Sequence, residues 1–203
     1  YWYGYEWTKH LSGNTGQPTV NGSSSPNYAR SNADPNNRWY NESYPGPGIS
    51  NPATHTSCKD LPNVNEMTWY AASDPRWDAD ELWTTMGHLY KGGMWFKKKA
   101  YISGYNSNTA VDGFDWRTNS NTYNRSVSQT LPSAADIGNY FYLPALGGYS
   151  AGQLENVGIA SSYWSSSASA WGGSYAHYLY FTSARVGMGE TPRGYGFIVG
   201  TFE

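Results

Sequence analysis

The chain has 203 residues, a formal net charge of −2, a pI near 6.1, and only 14% charged residues. Its longest basic run, at 97–99, is too short to neutralise many phosphates, so we expect no nucleic-acid partner. No apolar stretch approaches the roughly 18 residues that cross a bilayer, so we expect no membrane-spanning segment.

The aromatic content is high, with 19 Tyr and 10 Trp beside 23 Gly. Aromatic rings must therefore build much of the interior, which favours short strands and turns over long helices. Cys58 is the single cysteine, which excludes an intrachain disulfide and a zinc site made of several thiolates. A chain rich in Tyr, Trp, Ser, Asn and Gly is typical of extracellular binding domains, so we expect an extracellular or cell-surface location.

The first segment, residues 1–57, is predicted to be an irregular arm, because Gly, Pro, Asn and Ser recur every few positions. Its rings, among them Trp2, Trp7 and Trp39, are too apolar for a disordered linker. We therefore expect this arm to pack on a domain formed by residues 58–203. The chain begins without Met or a signal sequence, and we expect it to be a trimmed or processed fragment.

Two helices are predicted next. Asn63 and Glu66 have the spacing of a capping box, which predicts a helix starting near Asn63. Asp78 and Glu81 repeat that signal. Apolar residues then recur with helical spacing, and Gly92 with Gly93 provides a stop, so a second helix is predicted to start near Asp78.

Short aromatic runs broken by turn residues follow and predict strands at 94–96, 140–143, 163–165, 178–181 and 195–199. Loops without helical periodicity separate them, which indicates antiparallel pairing. The predicted class is α+β and loop-rich, with two helices packed on twisted antiparallel sheets. We expect Trp164 and Phe197 to be buried in the central strands.

Three segments in this order resemble the Fibrobacter succinogenes major paralogous domain family, a branch of the C-type-lectin-like superfamily found in surface proteins of gut Bacteroidetes. They are Leu-Pro-Asn-Val-Asn-Glu-Met at 61–67, Tyr-Trp-Ser-Ser-Ser at 163–167 and Arg-Gly-Tyr-Gly-Phe-Ile-Val at 193–199. The resemblance spans roughly residues 58–203. It implies a C-type-lectin-like fold and an outer-membrane-associated cell-surface location, in a fimbrial or lipoprotein domain.

Calcium-dependent lectins of that superfamily use a Glu-Pro-Asn or Gln-Pro-Asp loop and a Trp-Asn-Asp strand, and none of these tripeptides occurs here. Four residues could ligate calcium from a loop or serve as ordinary turn formers: Asp112, Asp115, Asn119 and Asn121. The histidines show no metal-ligand spacing: His10, His55, His88 and His177. We expect no cofactor and no metal.

No pattern predicts catalysis. The serines at 165–167 lie in the strand motif, where a packing and hydrogen-bonding role is expected rather than a nucleophile. The formylglycine-generating branch of the superfamily needs a pair of cysteines, and this chain has only Cys58. A non-enzymatic protein is therefore expected.

The segment from 168 to 190 has the composition of a binding surface, because it mixes large rings with small residues, Arg and Glu. Period-two alternation in its strand would bury Leu179 and Phe181 and expose Tyr178 and Tyr180. The predicted ligand contacts are Trp171, Tyr175, His177, Tyr180, Arg185 and Glu190.

These patterns favour a calcium-independent adhesion module that recognises a glycan or a protein on a cell surface. One alternative is a phage receptor-binding or retroelement-diversified protein in which 168–191 is variable. Another is a structural pilus or spacer domain, whose rings merely fill a core. Burial of Trp171, Tyr175 and Tyr180 together would favour that structural alternative.

Overall fold

The computed structural model describes residues 59–85, 87–119, 121–150, 153–170, 175–192, 195–200 and 202–203. The predicted arm at 1–57 lies outside these residues, and so does Cys58. The described part of the chain is mostly antiparallel sheet with one α-helix, so the α+β class is confirmed.

The helix α1 spans Val64–Ala72. Two short 3-10 helices lie at Lys99–Tyr101 and Ile137–Asn139. Nine strands are described: β1 (Arg76–Thr85), β2 (His88–Lys97), β3 (Tyr123–Ser126), β4 (Tyr140–Pro144), β5 (Gly148–Ser150), β6 (Gln153–Glu155), β7 (Ala160–Ala168), β8 (Tyr175–Thr182) and β9 (Arg185–Pro192).

Helix α1 begins where the capping signal predicts. The Asn63 side chain accepts a hydrogen bond from the Glu66 backbone N–H at 3.1 Å, and the Asn63 N–H donates to Glu66 Oε2 at 2.8 Å. This reciprocal pair satisfies two of the backbone amides that a helix start leaves free. Val64, Met67 and Tyr70 then face the core and are buried.

The second predicted helix is wrong, because residues 76–97 form the antiparallel hairpin of β1 and β2. The Asp78 carboxylate does act as a cap, accepting from the N–H groups of Asp80 and Glu81 at 3.0 Å each. It does so at a register shift between Asp78 and Leu82, so the signal marks a β-bulge instead of a helix start.

The apolar spacing that indicated this helix comes from pairing across the hairpin. Trp83 and Tyr90 are cross-strand partners whose rings stack with centroids 5.1 Å apart. Leu82 and Leu89, which a helical stripe would bury, are 59% and 64% exposed. Gly93, which was predicted to stop the helix, lies within β2. The Tyr142 ring approaches its backbone so closely that a Cβ at Gly93 would stand 2.3 Å from Tyr142 Oη.

The strands form three antiparallel sheets with the orders β1-β2-β4, β3-β9-β8-β7 and β5-β6. The strands predicted at 94–96, 140–143, 163–165 and 178–181 are confirmed. The one predicted at 195–199 is not a continuous strand. Its backbone pairs with β5 through Gly196 and with β7 through Ile198, so alternate residues bond to opposite neighbours.

The core lies between α1 and the two larger sheets, and contacts between aromatic rings connect the side chains of one sheet with those of the other. The Phe96 ring contacts Phe141 and Phe181, both at centroid distances of 5.8 Å. Tyr163 is only 2% exposed, whereas Trp164 and Phe197 are half-buried. The expectation that Trp164 and Phe197 are core residues is therefore corrected: the alternation of β7 turns its odd-numbered side chains inward.

Candidate functional site

Strand β8 sends alternate side chains to opposite faces of the four-stranded sheet. His177, Leu179 and Phe181 are fully buried, while Tyr178 and Tyr180 lie on the other face and are half-buried. The predicted alternation is thus confirmed for Leu179 and Phe181. The face that carries Tyr178 and Tyr180 is the outer face of the sheet.

The two tyrosine rings lie across glycines of β9. Tyr178 is the cross-strand partner of Gly189, and Tyr180 that of Gly187. A Cβ at Gly187 would stand 2.6 Å from Tyr180 Oη, and one at Gly189 would stand 3.0 Å from Tyr178 Cε1. Because neither glycine has a side chain, the rings rest on bare backbone and turn a broad surface outward.

Further rings continue this surface toward the chain's end. Trp164 is the cross-strand partner of Tyr178, and Phe197 contacts both, with centroid distances of 4.7 Å to Trp164 and 5.0 Å to Tyr178. Tyr195 stacks on Phe197 at 5.5 Å with planes 26° apart, and it is 37% exposed. We call this set the aromatic face: Trp164, Tyr178, Tyr180, Tyr195 and Phe197.

Two other predicted contacts lie at the ends of β8 and β9. Arg185 is exposed and lies two residues before Gly187, so it shares the outer face with the Tyr180 ring. Tyr175 begins β8 and is 39% exposed. The structure thus brings Tyr180 and Arg185 to one face, with Tyr175 at the strand's other end. Trp171 lies outside the described residues, so its predicted role stays a prediction.

His177 and Glu190 do not join the aromatic face, because they are cross-strand partners on the core side of the sheet. The His177 ring is fully buried, and its Nδ1 lies 3.9 Å from Glu190 Oε1. Glu190 Oε2 accepts a hydrogen bond from Ser169 Oγ at 2.6 Å. Burial lowers the pKa of His177 to about 3 and raises the pKa of Glu190. The alternation of side chains along β8 places His177 on the same buried face as Leu179. The prediction that His177 lies on a binding surface is therefore corrected.

The serines of β7 are tied into the same buried layer. Ser165 Oγ donates to the His177 carbonyl at 2.9 Å and accepts from the Ser167 N–H at 3.1 Å. Ser167 Oγ in turn accepts from the Val64 N–H at the start of α1 at 3.0 Å. These serines dock the helix on the sheet, the packing and hydrogen-bonding role that the strand motif predicts.

The loop carboxylates considered for calcium form turns. Asp112 Oδ1 accepts from the Phe114 N–H at 3.1 Å, and its Oδ2 accepts from the Trp116 indole at 2.9 Å. Asp115 pairs with Arg117 at 2.8 Å. Within the described residues, no group of three or more His, Cys, Asp or Glu could hold a metal ion.

A cleft of about 250 Å³ adjoins the aromatic face. Tyr195 and Phe197 belong to both, and the cleft extends between the β5–β6 hairpin and the start of β7. Its lining residues are Gly147, Gly148, Tyr149, Glu155, Asn156, Ala160, Ser161, Ser162, Tyr195 and Phe197. Sequence reasoning missed this cleft and the role of Tyr195. One sequence pattern could have indicated the aromatic face: glycines at every second position, 187 and 189, follow a strand with tyrosines at every second position, 178 and 180.

Among the described residues, no helix is both long and apolar enough to cross a bilayer. No family model, no curated protein and no solved structure matches this chain.

Proposed function

We propose that this chain is a non-enzymatic binding module that recognises a glycan or a protein through the aromatic face, without calcium. The observation that carries the proposal is a cluster of five partly exposed aromatic rings on and beside the outer face of one sheet, with the exposed Arg185 on the same face. Rings of this kind offer large contact area with few rotatable bonds, and Arg adds directional hydrogen bonds.

Partial burial of these rings supports a binding role over a purely structural one. Trp164 and Tyr178 are held by contacts between their rings, and Tyr178 also rests on Gly189, so little side-chain entropy is left to lose on binding. Among the five rings of the aromatic face, Tyr195 remains 37% exposed. In a spacer domain whose aromatic rings served only to pack the core, we would expect those rings to be buried, because exposed apolar surface costs free energy.

We further propose that the fold is C-type-lectin-like and that the protein is displayed on a cell surface, associated with the outer membrane. The support for both is the resemblance of residues 61–67, 163–167 and 193–199 to the Fibrobacter succinogenes major paralogous domain family. The capping box at the start of α1 and the Tyr-Trp-Ser strand β7 lie within those segments.

A glycan array probed with the purified chain tests the proposal, once with calcium and once with EDTA. We expect specific, weak binding to a subset of glycans that is the same in both conditions, because aromatic stacking and Arg185 supply the contacts. Loss of signal in EDTA would contradict the calcium-independent mechanism. An array without any bound glycan would leave protein recognition as the only form of the proposal, to be tested by binding to intact cells stripped of surface glycans.

A further inference from the structure

The cleft beside the aromatic face has the size of a single-ring subsite. Ligand pockets for drug-sized molecules enclose roughly 300–1,000 Å³, and this cleft measures about 250 Å³. The β5–β6 hairpin, Tyr195 and Phe197, and the first residues of β7 all contribute to its lining. The cleft is therefore suited to the end of a larger ligand that continues over the aromatic face.

Glycines allow the segments that line this cleft to approach one another closely. Gly147 has φ +71°, and a Cβ there would stand 2.1 Å from the Glu155 carbonyl oxygen. A Cβ at Gly148 would stand 3.2 Å from the Phe197 ring, and one at Gly196 would stand 2.7 Å from Tyr149 Cβ. Side chains at these positions would collide with these neighbours, so glycine lets the hairpin and the 195–197 segment pair closely.

The aromatic wall presents a supported ring to the cleft. Tyr195 stacks on Phe197, which packs in turn on Trp164 at 4.7 Å, so three rings lie in series from the cleft to the sheet. The first ring of the series, Tyr195, is the exposed one. A flat face held in this way can pack against the apolar face of a sugar ring.

The polar part of the lining supplies hydrogen-bonding groups and one negative charge. Glu155 is the cross-strand partner of Gly148, whose Cβ direction points at Phe197, so the carboxylate lies on the same side of the hairpin as that ring. Asn156 is exposed, and Ser162 lies on the outer face of β7. Among the described residues that line the cleft, Glu155 is the only charged one.

We propose that this cleft binds the terminal, non-acidic pyranose ring of a glycan, stacked on Tyr195 and hydrogen-bonded through its hydroxyls to Glu155. The inference rests on the proposed function, since it names the class of ligand end that the aromatic face receives. A carboxylate strengthens hydrogen bonds from hydroxyl donors, and, since no cationic side chain is among the described lining residues, its charge opposes a uronic acid. The cleft thus selects by charge, while the rings select by shape.

NMR titrations with three monosaccharides of different charge test this subsite: methyl β-D-glucopyranoside, D-glucosamine and D-glucuronate. We expect millimolar binding of the neutral and the cationic sugar, with shifts at Tyr195 and Gly148, and binding of glucuronate that is weaker by roughly tenfold. Glu155→Gln should remove that charge discrimination. The matched control, Glu81→Gln, changes an exposed carboxylate on β1 and should leave it intact.

Tyr195→Ala should weaken the neutral sugar by roughly tenfold. Tyr101→Ala, at another exposed ring, should have no effect. The proposal is overturned if none of the three sugars shifts a cleft residue, or if Glu155→Gln leaves the preference unchanged. This proposal can fail while the proposed function stands: a ligand whose binding depends on Tyr180 but not on Tyr195 would support the aromatic face and exclude the cleft as its subsite.

Discussion

Neighbouring aromatic residues in one strand have different roles, and Tyr163 and Trp164 show this most directly. Tyr163 is buried, stacks on Phe181 at 5.9 Å, and donates from its hydroxyl to the Pro144 carbonyl at 2.7 Å. Trp164 is half-buried on the aromatic face. The larger ring is therefore the one that contributes less to the core.

Unfolding experiments on two alanine variants measure this difference. Tyr163→Ala should cost about 3–5 kcal/mol of unfolding free energy, the range for a large ring removed from a packed core. Trp164→Ala should cost about 1–2 kcal/mol, because part of its surface already meets solvent. Urea titrations followed by circular dichroism give both values. A larger loss for Trp164→Ala would contradict the assigned faces of β7.

The buried pair of His177 and Glu190 predicts a pH dependence of stability. The folded pKa of His177, about 3, lies below the unfolded value of 6.5. Between these two pH values the unfolded chain binds a proton at His177 that the native chain does not bind. Stability should fall as pH drops from 6.5 towards 3, by about 2 kcal/mol between pH 6.5 and pH 5. The raised pKa of Glu190 has the opposite effect: its contribution to stability is present below the ordinary pKa of 4.5 and is lost as the pH rises above that value.

The variant His177→Phe should flatten this acid dependence, because it removes the group that titrates only in the unfolded chain. His88→Gln is the control, since His88 is exposed on the hairpin. Thermal melts of both variants between pH 7 and pH 4 give the comparison. An unchanged slope in His177→Phe would show that the burial of this histidine does not govern acid stability.

At the scale of elements, the β1–β2 hairpin depends on one carboxylate at its bulge. Asp78 is buried, accepts from the N–H groups of Asp80 and Glu81, and also accepts from the Trp95 indole at 3.0 Å. These three donors would be left without an acceptor in Asp78→Ala. A hydrogen bond to a charged group contributes about 1.5–3 kcal/mol.

We therefore expect Asp78→Ala to lower the unfolding free energy by about 2–4 kcal/mol. Asp80→Ala should change it by less than about 1 kcal/mol, because Asp80 and its ion-pair partner Lys91 are largely exposed. Chemical denaturation of the two variants side by side makes the measurement. Equal, small losses would show that the bulge does not need its carboxylate.

This hairpin also marks where local sequence signals stop predicting structure. Asn63 and Asp78 both offer the same side-chain acceptor to the following amides, but only Asn63 starts a helix. After Asp78, the pairing of Trp77 with Met94 and of Trp83 with Tyr90 stabilises a strand instead. Such cross-strand partners depend on tertiary packing and are not visible in local spacing.

On the scale of the whole molecule, the four-stranded sheet has one buried face and one displayed face. Alternation alone predicted the buried Leu179 and Phe181 and the outward Tyr178 and Tyr180. It could not predict the contribution of Phe197, which reaches the sheet from a segment paired with both β5 and β7. Contacts between distant segments thus complete a surface whose centre is readable from β8.

The central claim is that this displayed face binds ligand, and isothermal titration of the strongest array glycan tests it most directly. The measurement compares the unchanged chain, the double variant Tyr180→Ala with Arg185→Ala, and Tyr101→Ala as control. We expect the double variant to lose about 1–3 kcal/mol of binding free energy, with a folded circular dichroism spectrum, a melting temperature only a few degrees lower, and no effect of EDTA. Unchanged affinity in the double variant, or binding abolished by EDTA, would contradict the account.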